Sequence, residues 1–297
     1  MMKPRPPLRE VMKFARAEGI EGEIVVANGV AWIVKGLAHP SDGVIAIPRY
    51  SLAGKPRRLS KAEVLRYVNA RSRYWSYLSM TVPVVPRTLA KLNPVRELRE
   101  FTEFLKQFLP RKCFVLPTGS AAIGLEDFRD LDAVIVCRGI DACYYAYKAI
   151  KCLRDEGLLR SGAGSLFLDW LNRHRELVDF HAYLQLKLRN PLYGYFKGIP
   201  YTLRIVNIEY VPTRVVAHQF KELEVVITRP LSDFTTPCRY VVNASGLGKV
   251  VLESYRILLT GLQRGTRIKA LFRIEIREDG LTYAIPDHSP YIDIALN

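Results

Sequence analysis

The sequence has few of the residues that build disulfide frameworks or zinc sites. Among its 297 residues are only 5 cysteines and 5 histidines. The cysteines are odd in number, form no Cys-x-x-Cys pair, and mostly fall in apolar segments: Cys113, Cys137, Cys143, Cys152 and Cys238. This pattern favours structural thiols in a reducing compartment over a disulfide framework or a zinc site.

Long apolar runs are also missing. No stretch approaches the length of a membrane span, and the first residues, Met-Met-Lys-Pro-Arg-Pro-Pro, lack the apolar core of a signal peptide. We therefore expect a soluble, cytoplasmic protein with no membrane partner.

Acidic residues are scarce relative to basic ones. Lys and Arg number 44 against 29 Asp and Glu, which gives a formal net charge of +15. Such an excess favours polyanionic partners, among which we expect RNA or nucleotides before an anionic membrane surface. The alternatives are a charge that serves solubility, or the charge-rich surface of a heat-stable protein.

One stretch in the middle of the chain combines the residue types that phosphate chemistry needs. Residues 113–116 predict a buried strand, Gly119-Ser120 a tight turn before a short helix, and residues 131–137 a second strand. Asp130 and Asp132 stand at the start of this second strand, and side chains two apart on a strand share a face. Paired carboxylates beside a turn with free N–H groups suit Mg²⁺ and a bound phosphate.

This unit resembles the polymerase-β-like nucleotidyltransferase superfamily. The resemblance implies that Gly119 and Ser120 hold a nucleoside triphosphate, and that Asp130 and Asp132 are catalytic and bind Mg²⁺ (or Mn²⁺). The superfamily usually has Ser before the first Asp, where this chain has Arg129.

The wider chain resembles one group of predicted nucleotidyltransferases in this superfamily, typical of archaea, for which no substrate is implied. The motifs that carry this second resemblance lie on both sides of the central unit: Lys35-Gly36, His39-Pro40, Arg49-Tyr50, Tyr195-Phe196-Lys197-Gly198, Leu203-Arg204, Pro237-Cys238-Arg239-Tyr240, Glu253-Ser254-Tyr255-Arg256 and Gly265.

A third carboxylate usually accompanies the Asp pair in this superfamily, on a neighbouring strand. The strand predicted over residues 201–206 has no acid at its centre, where Arg204 stands. Asp179 and Glu209 are the weaker candidates for this third acid. Arg129 and Arg204 would instead bind the phosphates of a nucleotide.

The N-terminal part predicts a small β module. After a predicted helix over residues 8–18, strands over 23–27 and 30–35 flank Asn28-Gly29, a strong hairpin signal, and another strand follows over 43–47. Basic and aromatic residues then alternate in a way that favours single-stranded RNA: Arg49, Tyr50, Lys55, Arg57, Arg58, Lys61, Arg66, Tyr67, Arg71, Arg73, Tyr74, Trp75 and Tyr77. The alternative is a capped helix from Ser60, with Leu65 and Val68 towards the core.

The rest of the chain divides into a helical centre and a strand-rich end. Asn93-Pro94 predicts a helix start, further helices are expected over 141–156 and 166–188, and strands over 193–197 and 201–208. From residue 213, short strands over 224–228, 240–243, 250–258, 267–275 and 281–285 predict a small β-barrel, of which an oligonucleotide-binding type is one form. Its basic face would comprise Arg239, Lys249, Arg256, Arg264, Arg267, Lys269 and Arg273. The alternative is a packing or dimerisation module.

These observations predict an α+β protein with three parts. A central nucleotidyltransferase-type mixed sheet with helices (93–212) is flanked by an N-terminal β module (1–92) and a C-terminal small β-barrel (213–297). We expect a metal-dependent enzyme that moves a nucleotide from a nucleoside triphosphate to an RNA end or another hydroxyl acceptor. A non-catalytic RNA- or nucleotide-binding protein on a degenerate transferase fold is one alternative, and a partner-binding assembly protein is another.

Overall fold

The computed structural model describes residues 19–164 and 166–296, which form a mixed α+β fold with three sheets and six α-helices. The helix predicted over residues 8–18 lies outside the described residues. Within the described ranges, no helix is both long and apolar enough to cross a membrane.

The first sheet carries the predicted hairpin. Its order is β1-β2-β3-β6-β5, with β4 paired to β3: β1 (Ile24–Ala27), β2 (Val30–Val34), β3 (Val44–Ser51), β4 (Arg57–Arg58), β5 (Ser72–Trp75) and β6 (Met80–Val85). Asn28 and Gly29 both adopt positive φ, of 53° and 69°, as a two-residue hairpin turn requires. The hairpin prediction is confirmed.

Helix α1 (Lys61–Arg71) begins after the predicted cap. The Ser60 side chain accepts a hydrogen bond from the Glu63 N–H, and the Glu63 carboxylate accepts one from the Ser60 N–H. The expectation that Leu65 faces the core is wrong, since its side chain is 61% exposed and α1 contains no buried residue. The capping signal is local, whereas the direction of the apolar face depends on what the helix packs against.

The second sheet lies at the centre of the chain and has the order β7-β8-β10-β9. The strands are β7 (Cys113–Thr118), β8 (Leu131–Cys137), β9 (Tyr193–Phe196) and β10 (Ile199–Asn207). Strands β8 and β10 are parallel, and the other two pairings are antiparallel. Five helices belong to this part of the chain: α2 (Arg96–Lys106), α3 (Gly119–Ala122), α4 (Ile140–Asp155), α5 (Leu166–Arg173) and α6 (Phe180–Arg189).

The two faces of the central sheet are covered differently. Leu131, Ala133 and Ile135 pack into the largest apolar core, together with residues of α2 and α4. The alternate positions, Asp132 and Val134, face the other way because side chains alternate along a strand. On that second face the apolar contacts of β8 are with Ile20 and Val206, among others. The acidic face of β8 is therefore the face away from α2 and α4.

The third sheet has the order β11-β12-β13-β15-β14-β16, and β11 pairs with β14 as well. Its strands are β11 (Val215–Ser232), β12 (Cys238–Ala244), β13 (Gly248–Ser254), β14 (Arg267–Arg277), β15 (Thr282–Ile285) and β16 (Ile292–Ala295). Strand β11 is much longer than predicted and continues through Pro230, where the ladder is irregular. Such an irregularity accommodates a residue that lacks an N–H donor.

Two helix predictions require correction. The helix expected over 166–188 is two helices, and Asp179 caps the second by accepting a hydrogen bond of 3.0 Å from the Ala182 N–H. Helix α2 begins at Arg96 rather than after Asn93, because the Val95 N–H bonds the Ala121 carbonyl at 2.9 Å and keeps the preceding chain extended.

The cysteine expectation is wrong for one pair. Cys113 and Cys137 form a disulfide, because the antiparallel register of β7 and β8 sets them directly opposite, with Cα atoms 4.2 Å apart. Cys143 and Cys238 are buried thiols, as expected, whereas Cys152 is exposed.

The aromatic core under the central sheet gives the first testable prediction. Phe101 is fully buried, with its ring centre 5.1 Å from that of Phe196 and 5.3 Å from that of Tyr201. Phe101→Ala should lower the free energy of unfolding by about 3–5 kcal/mol, measured by chemical denaturation. Phe108→Ala is the matched control, because Phe108 is 42% exposed, and it should cost less than about 1 kcal/mol. Equal losses in the two variants would contradict this description of the core.

Candidate functional site

A large charged cavity lies where the three sheets meet. Its volume is about 1070 Å³, and residues from all three parts of the chain line it. Both charge signs are present. The basic residues are Lys35, Arg49, Arg58, Arg173, Lys187, Arg204, Arg256, Arg273 and Arg277. The acidic residues are Glu21, Asp130, Asp132, Asp169, Glu253, Glu275 and Asp287. Such a lining suits an ionic ligand rather than an apolar one.

The two predicted carboxylates both line this cavity. Asp130 and Asp132 flank Leu131, whose fully buried side chain anchors the start of β8 in the core on the other side. In the sheet register, Asp132 lies opposite Thr118 on β7 and Thr202 on β10. Within the described ranges, no hydrogen-bond donor contacts the Asp132 carboxylate.

The positive charges of Arg204, Arg173 and Lys187 act on Asp132 but do not offset the effect of its burial. Burial and the negative charge of Asp130 together raise the pKa of Asp132 to about 7, while Arg204 acts in the opposite direction. Asp130 has one weak ion pair, with Arg173 at 3.8 Å. A divalent cation between the two side chains would reverse the effect of their mutual repulsion.

The Gly119-Ser120 turn packs directly against the carboxylates. Gly119 has φ of +72°, and a Cβ on it would lie only 2.2 Å from Oδ2 of Asp132. Only glycine fits here, for both reasons. The Ser120 hydroxyl accepts a hydrogen bond of 3.1 Å from Arg58, which belongs to the first sheet. The turn, the two acids and a cation from another part of the chain therefore meet at one wall of the cavity.

The two predicted arginines lie in different places. Arg204 lines the cavity on the same face of the sheet as Asp132, and its buried Nε has no hydrogen-bond partner in the described part of the chain. Arg129 is exposed and does not line the cavity. Arg129 lies before the first residue of β8, so the strand does not fix the direction of its side chain.

Neither candidate for the third acid reaches the site. Asp179 is exposed and caps α6, and Glu209 is exposed near Gly139, beyond the opposite end of the parallel strands. Thr202 stands beside Asp132 on β10. Another acid of the cavity, Asp169 from α5, shares Arg173 with Asp130.

Asp169 is the centre of a cluster that sequence reasoning missed. Its carboxylate accepts a hydrogen bond from the Tyr183 hydroxyl and lies 3.3 Å from Arg173 and 3.9 Å from Lys187. The Lys187 ammonium lies 3.4 Å from the centre of the Tyr193 ring, and burial lowers its pKa to about 8. The available signal was the spacing of Asp169 and Arg173, four apart on a helix, although it does not show which way the pair faces.

Arg273 was expected on an exposed basic face, and this is wrong. Its side chain is 2% exposed, lies 3.2 Å from Glu275, and donates to the Leu78 and Ser79 carbonyls of the first sheet at 2.6 and 3.2 Å. The guanidinium therefore joins the third sheet to the first.

The chemistry of the acidic residues fits a hard divalent cation. Mg²⁺ binds through one or two carboxylates and completes its shell with substrate phosphates and water. Asp130 and Asp132 supply such a pair. No group of three or more His, Cys, Asp or Glu is arranged for metal binding within the described ranges. The remaining ligands would therefore come from a substrate.

Comparison of the chain with protein-family models and with curated proteins gives no match. The function of the cavity has to be inferred from its side chains.

The contact between the turn and Asp132 predicts a specific sensitivity. Gly119→Ala should displace the Asp132 carboxylate and lower the free energy of unfolding by about 1–3 kcal/mol, measured by chemical denaturation. Gly157→Ala is the matched control: Gly157 has a similar φ of +76°, but a Cβ there meets nothing within 4 Å. Gly157→Ala therefore measures the cost of backbone strain without a clash between the new Cβ and a neighbouring atom. A smaller loss in Gly119→Ala than in Gly157→Ala would contradict the close packing.

The raised pKa of Asp132 predicts a pH-dependent stability. The unfolded carboxyl ionises near pH 3.9, but the folded one ionises only near pH 7, so the folded state loses stability as the pH rises between these values. In EDTA, Asp132→Asn should therefore be more stable than the wild type at pH 8, by roughly 1–3 kcal/mol, and similar to it at pH 4. Thermal unfolding at both pH values measures the difference. The control is Asp141→Asn, at an exposed position. Its effect on the free energy of unfolding should be small and equal at the two pH values. A gain from Asp132→Asn that is equally large at pH 4 would refute this account.

Proposed function

We propose that this protein is a metal-dependent nucleotidyltransferase of the polymerase-β-like type, which moves a nucleotide from a nucleoside triphosphate to an RNA end or another hydroxyl acceptor. The observation that carries the proposal is the packing of Gly119 against Asp132, with Asp130 alongside, on the wall of a cavity rich in arginine. The mixed strand order β7-β8-β10-β9 supports a transferase-type sheet. The pairing of β11 with both β12 and β14 supports a small C-terminal barrel.

Cations around the turn would bind the triphosphate. Arg58 already reaches the Ser120 hydroxyl, and Arg204 has no hydrogen-bond or ion-pair partner of its own in the described ranges. Guanidinium groups match the geometry of phosphate oxygens and bind them with two parallel hydrogen bonds. Lys187, on the other side of the carboxylates, holds a proton at Nζ and can donate it in a hydrogen bond to a further phosphate oxygen.

Asp130 and Asp132 would hold Mg²⁺ or Mn²⁺. When bound, the metal supplies the charge that activates the acceptor hydroxyl and stabilises the departing pyrophosphate. The two side chains set its position, because the start of β8 is fixed by the burial of Leu131. The excess of basic residues in the whole chain supports RNA as the acceptor.

A second candidate function is nucleotide or RNA binding without transfer. The observation that favours it is the absence of an acid on β10 beside Asp132, where Thr202 and Arg204 stand. Asp169 is held by Tyr183, Arg173 and Lys187. The two functions share the binding site and differ in whether pyrophosphate is released.

Calorimetric titration of each nucleoside triphosphate tests the site. With Mg²⁺ or Mn²⁺ present, at least one triphosphate should bind, and EDTA or Asp130→Asn should weaken its binding at least tenfold, because the carboxylate pair no longer holds the metal. Arg204→Gln should weaken it by about 1.5–3 kcal/mol through loss of a charge-assisted hydrogen bond.

The matched control in this titration is Asp141→Asn, which removes the same charge at an exposed position outside the cavity. It should bind like the wild type. The proposed site would be overturned if no triphosphate binds, or if the affinity changes neither in EDTA nor in Asp130→Asn.

A further inference from the structure

A second cleft lies on the other side of the central sheet from the carboxylates. Its volume is about 460 Å³, and it is lined by α4, α6 and two loops that belong to the third sheet, at residues 233–234 and 260–263. Helix α4 packs on the face of the sheet that receives Leu131 and Ile135, whereas Asp132 faces away from it. The second cleft and the cavity are therefore separate sites.

The floor of the second cleft is built from satisfied hydrogen bonds. Asn190, which is buried, donates to the Thr260 hydroxyl at 2.6 Å and to its carbonyl at 3.2 Å. The Gly261 N–H bonds the Asp233 carbonyl at 2.8 Å, which joins the two loops. Arg154 donates to the carbonyls of Asn190 and Leu188, so its guanidinium is already occupied. The cleft is thus preformed and held by its own backbone.

The basic residues along the edge of the cleft, unlike Arg154, have no hydrogen-bond partners in the described ranges. Lys148, Lys151 and Arg189 line the cleft and are exposed, and none of them has a hydrogen bond or a carboxylate partner in the described ranges. Asp155 and Asp233 also line the cleft. With Arg154, four cations therefore face two carboxylates, and three of the cations are available to a ligand.

Aromatic rings are interleaved with these cations. Tyr144, Lys148 and Lys151 follow one another at helical spacing on α4 and share a face. The Tyr144 side chain is 43% exposed, and its ring lies edge-on to Phe234 with centres 5.7 Å apart. The Lys148 ammonium lies 5.5 Å from the Tyr144 ring centre. A partly exposed ring beside cations that have no carboxylate partner in the described ranges presents a stacking surface next to phosphate-binding groups.

We propose that this cleft binds a single-stranded polynucleotide, with phosphates on Lys148, Lys151 and Arg189 and a base stacked on Tyr144. Single strands are bound in this way, by a basic groove that follows the backbone and by rings on which bases stack. An acidic polypeptide would use the cations but would leave the exposed ring without a matching partner. The proposal requires neither the metal nor transfer, so it stands or fails independently of the proposed function.

Fluorescence anisotropy of labelled oligouridylate and oligodeoxythymidylate, each about 12 nucleotides long, tests the cleft with the full chain in EDTA over a series of salt concentrations. The triple variant Lys148→Gln, Lys151→Gln, Arg189→Gln should lose at least tenfold in affinity at low salt. The slope of log affinity against log salt should become shallower by about 2, which corresponds to three lost phosphate contacts. Tyr144→Ala should lose roughly tenfold, and Tyr144→Phe should retain wild-type binding.

The matched control is the triple variant Lys91→Gln, Arg111→Gln, Lys112→Gln. These residues are exposed and line neither the second cleft nor the cavity. The control triple should bind the oligonucleotides like the wild type. The unfolding midpoints of all variants establish that they are folded.

Three outcomes would overturn the proposal. One is wild-type binding by the cleft triple, and another is an equal loss in the control triple, which would assign the binding to net charge alone. The last is a cleft triple that loses poly-glutamate binding while it keeps oligonucleotide binding, which would assign the cleft to an acidic polypeptide.

Discussion

The candidate site depends on one contact, that of Gly119 with the carboxylate of Asp132. A side chain at position 119 would overlap Oδ2 of Asp132, so the turn after β7 can lie against β8 only because it has none. Because side chains alternate along β8, Leu131 enters the core under the sheet, and Asp130 and Asp132 lie together on the other face. The same few residues thus stabilise the fold and create a pair of carboxylates, of which Asp132 has a raised pKa.

The cavity around this contact is closed by polar links between the three parts of the chain. Arg58 of the first sheet donates to Ser120, and Thr118 donates to the Gly22 carbonyl. Arg273 of the third sheet donates to the Leu78 carbonyl. Buried polar groups are costly unless they are paired, so links of this kind hold the walls in one arrangement. Arg204 departs from this pattern, because its guanidinium has no hydrogen bond or ion pair with the residues that the structure describes, and its Nε is buried. An anion bound in the cavity would accept a hydrogen bond from this Nε.

Local signals in the sequence were sufficient for much of the fold. The bounds of β8, the Asn28-Gly29 hairpin and the capping box of Ser60 all follow from neighbours a few residues apart. The site was only partly predictable. Gly119, Ser120, Asp130, Asp132 and Arg204 meet because they lie on, or directly beside, adjacent strands of one sheet. Asp169 and Lys187 reach the same cavity because the chain breaks between α5 and α6. Cys113 meets Cys137 because of the register between β7 and β8. The spacing of these residues in the sequence predicts neither contact, because each depends on how distant elements pack.

The central claim is that the cavity transfers a nucleotide. The most direct measurement is incubation with nucleoside triphosphates labelled at the α-phosphate, Mn²⁺ or Mg²⁺, and RNA, followed by separation of the RNA, the protein and the released pyrophosphate. The account predicts that label joins a macromolecular hydroxyl as pyrophosphate is released, and that Asp132→Asn abolishes both. Nucleotide binding with no release of pyrophosphate on any acceptor would contradict the account, and would show that the carboxylates and arginines bind nucleotides without transferring them.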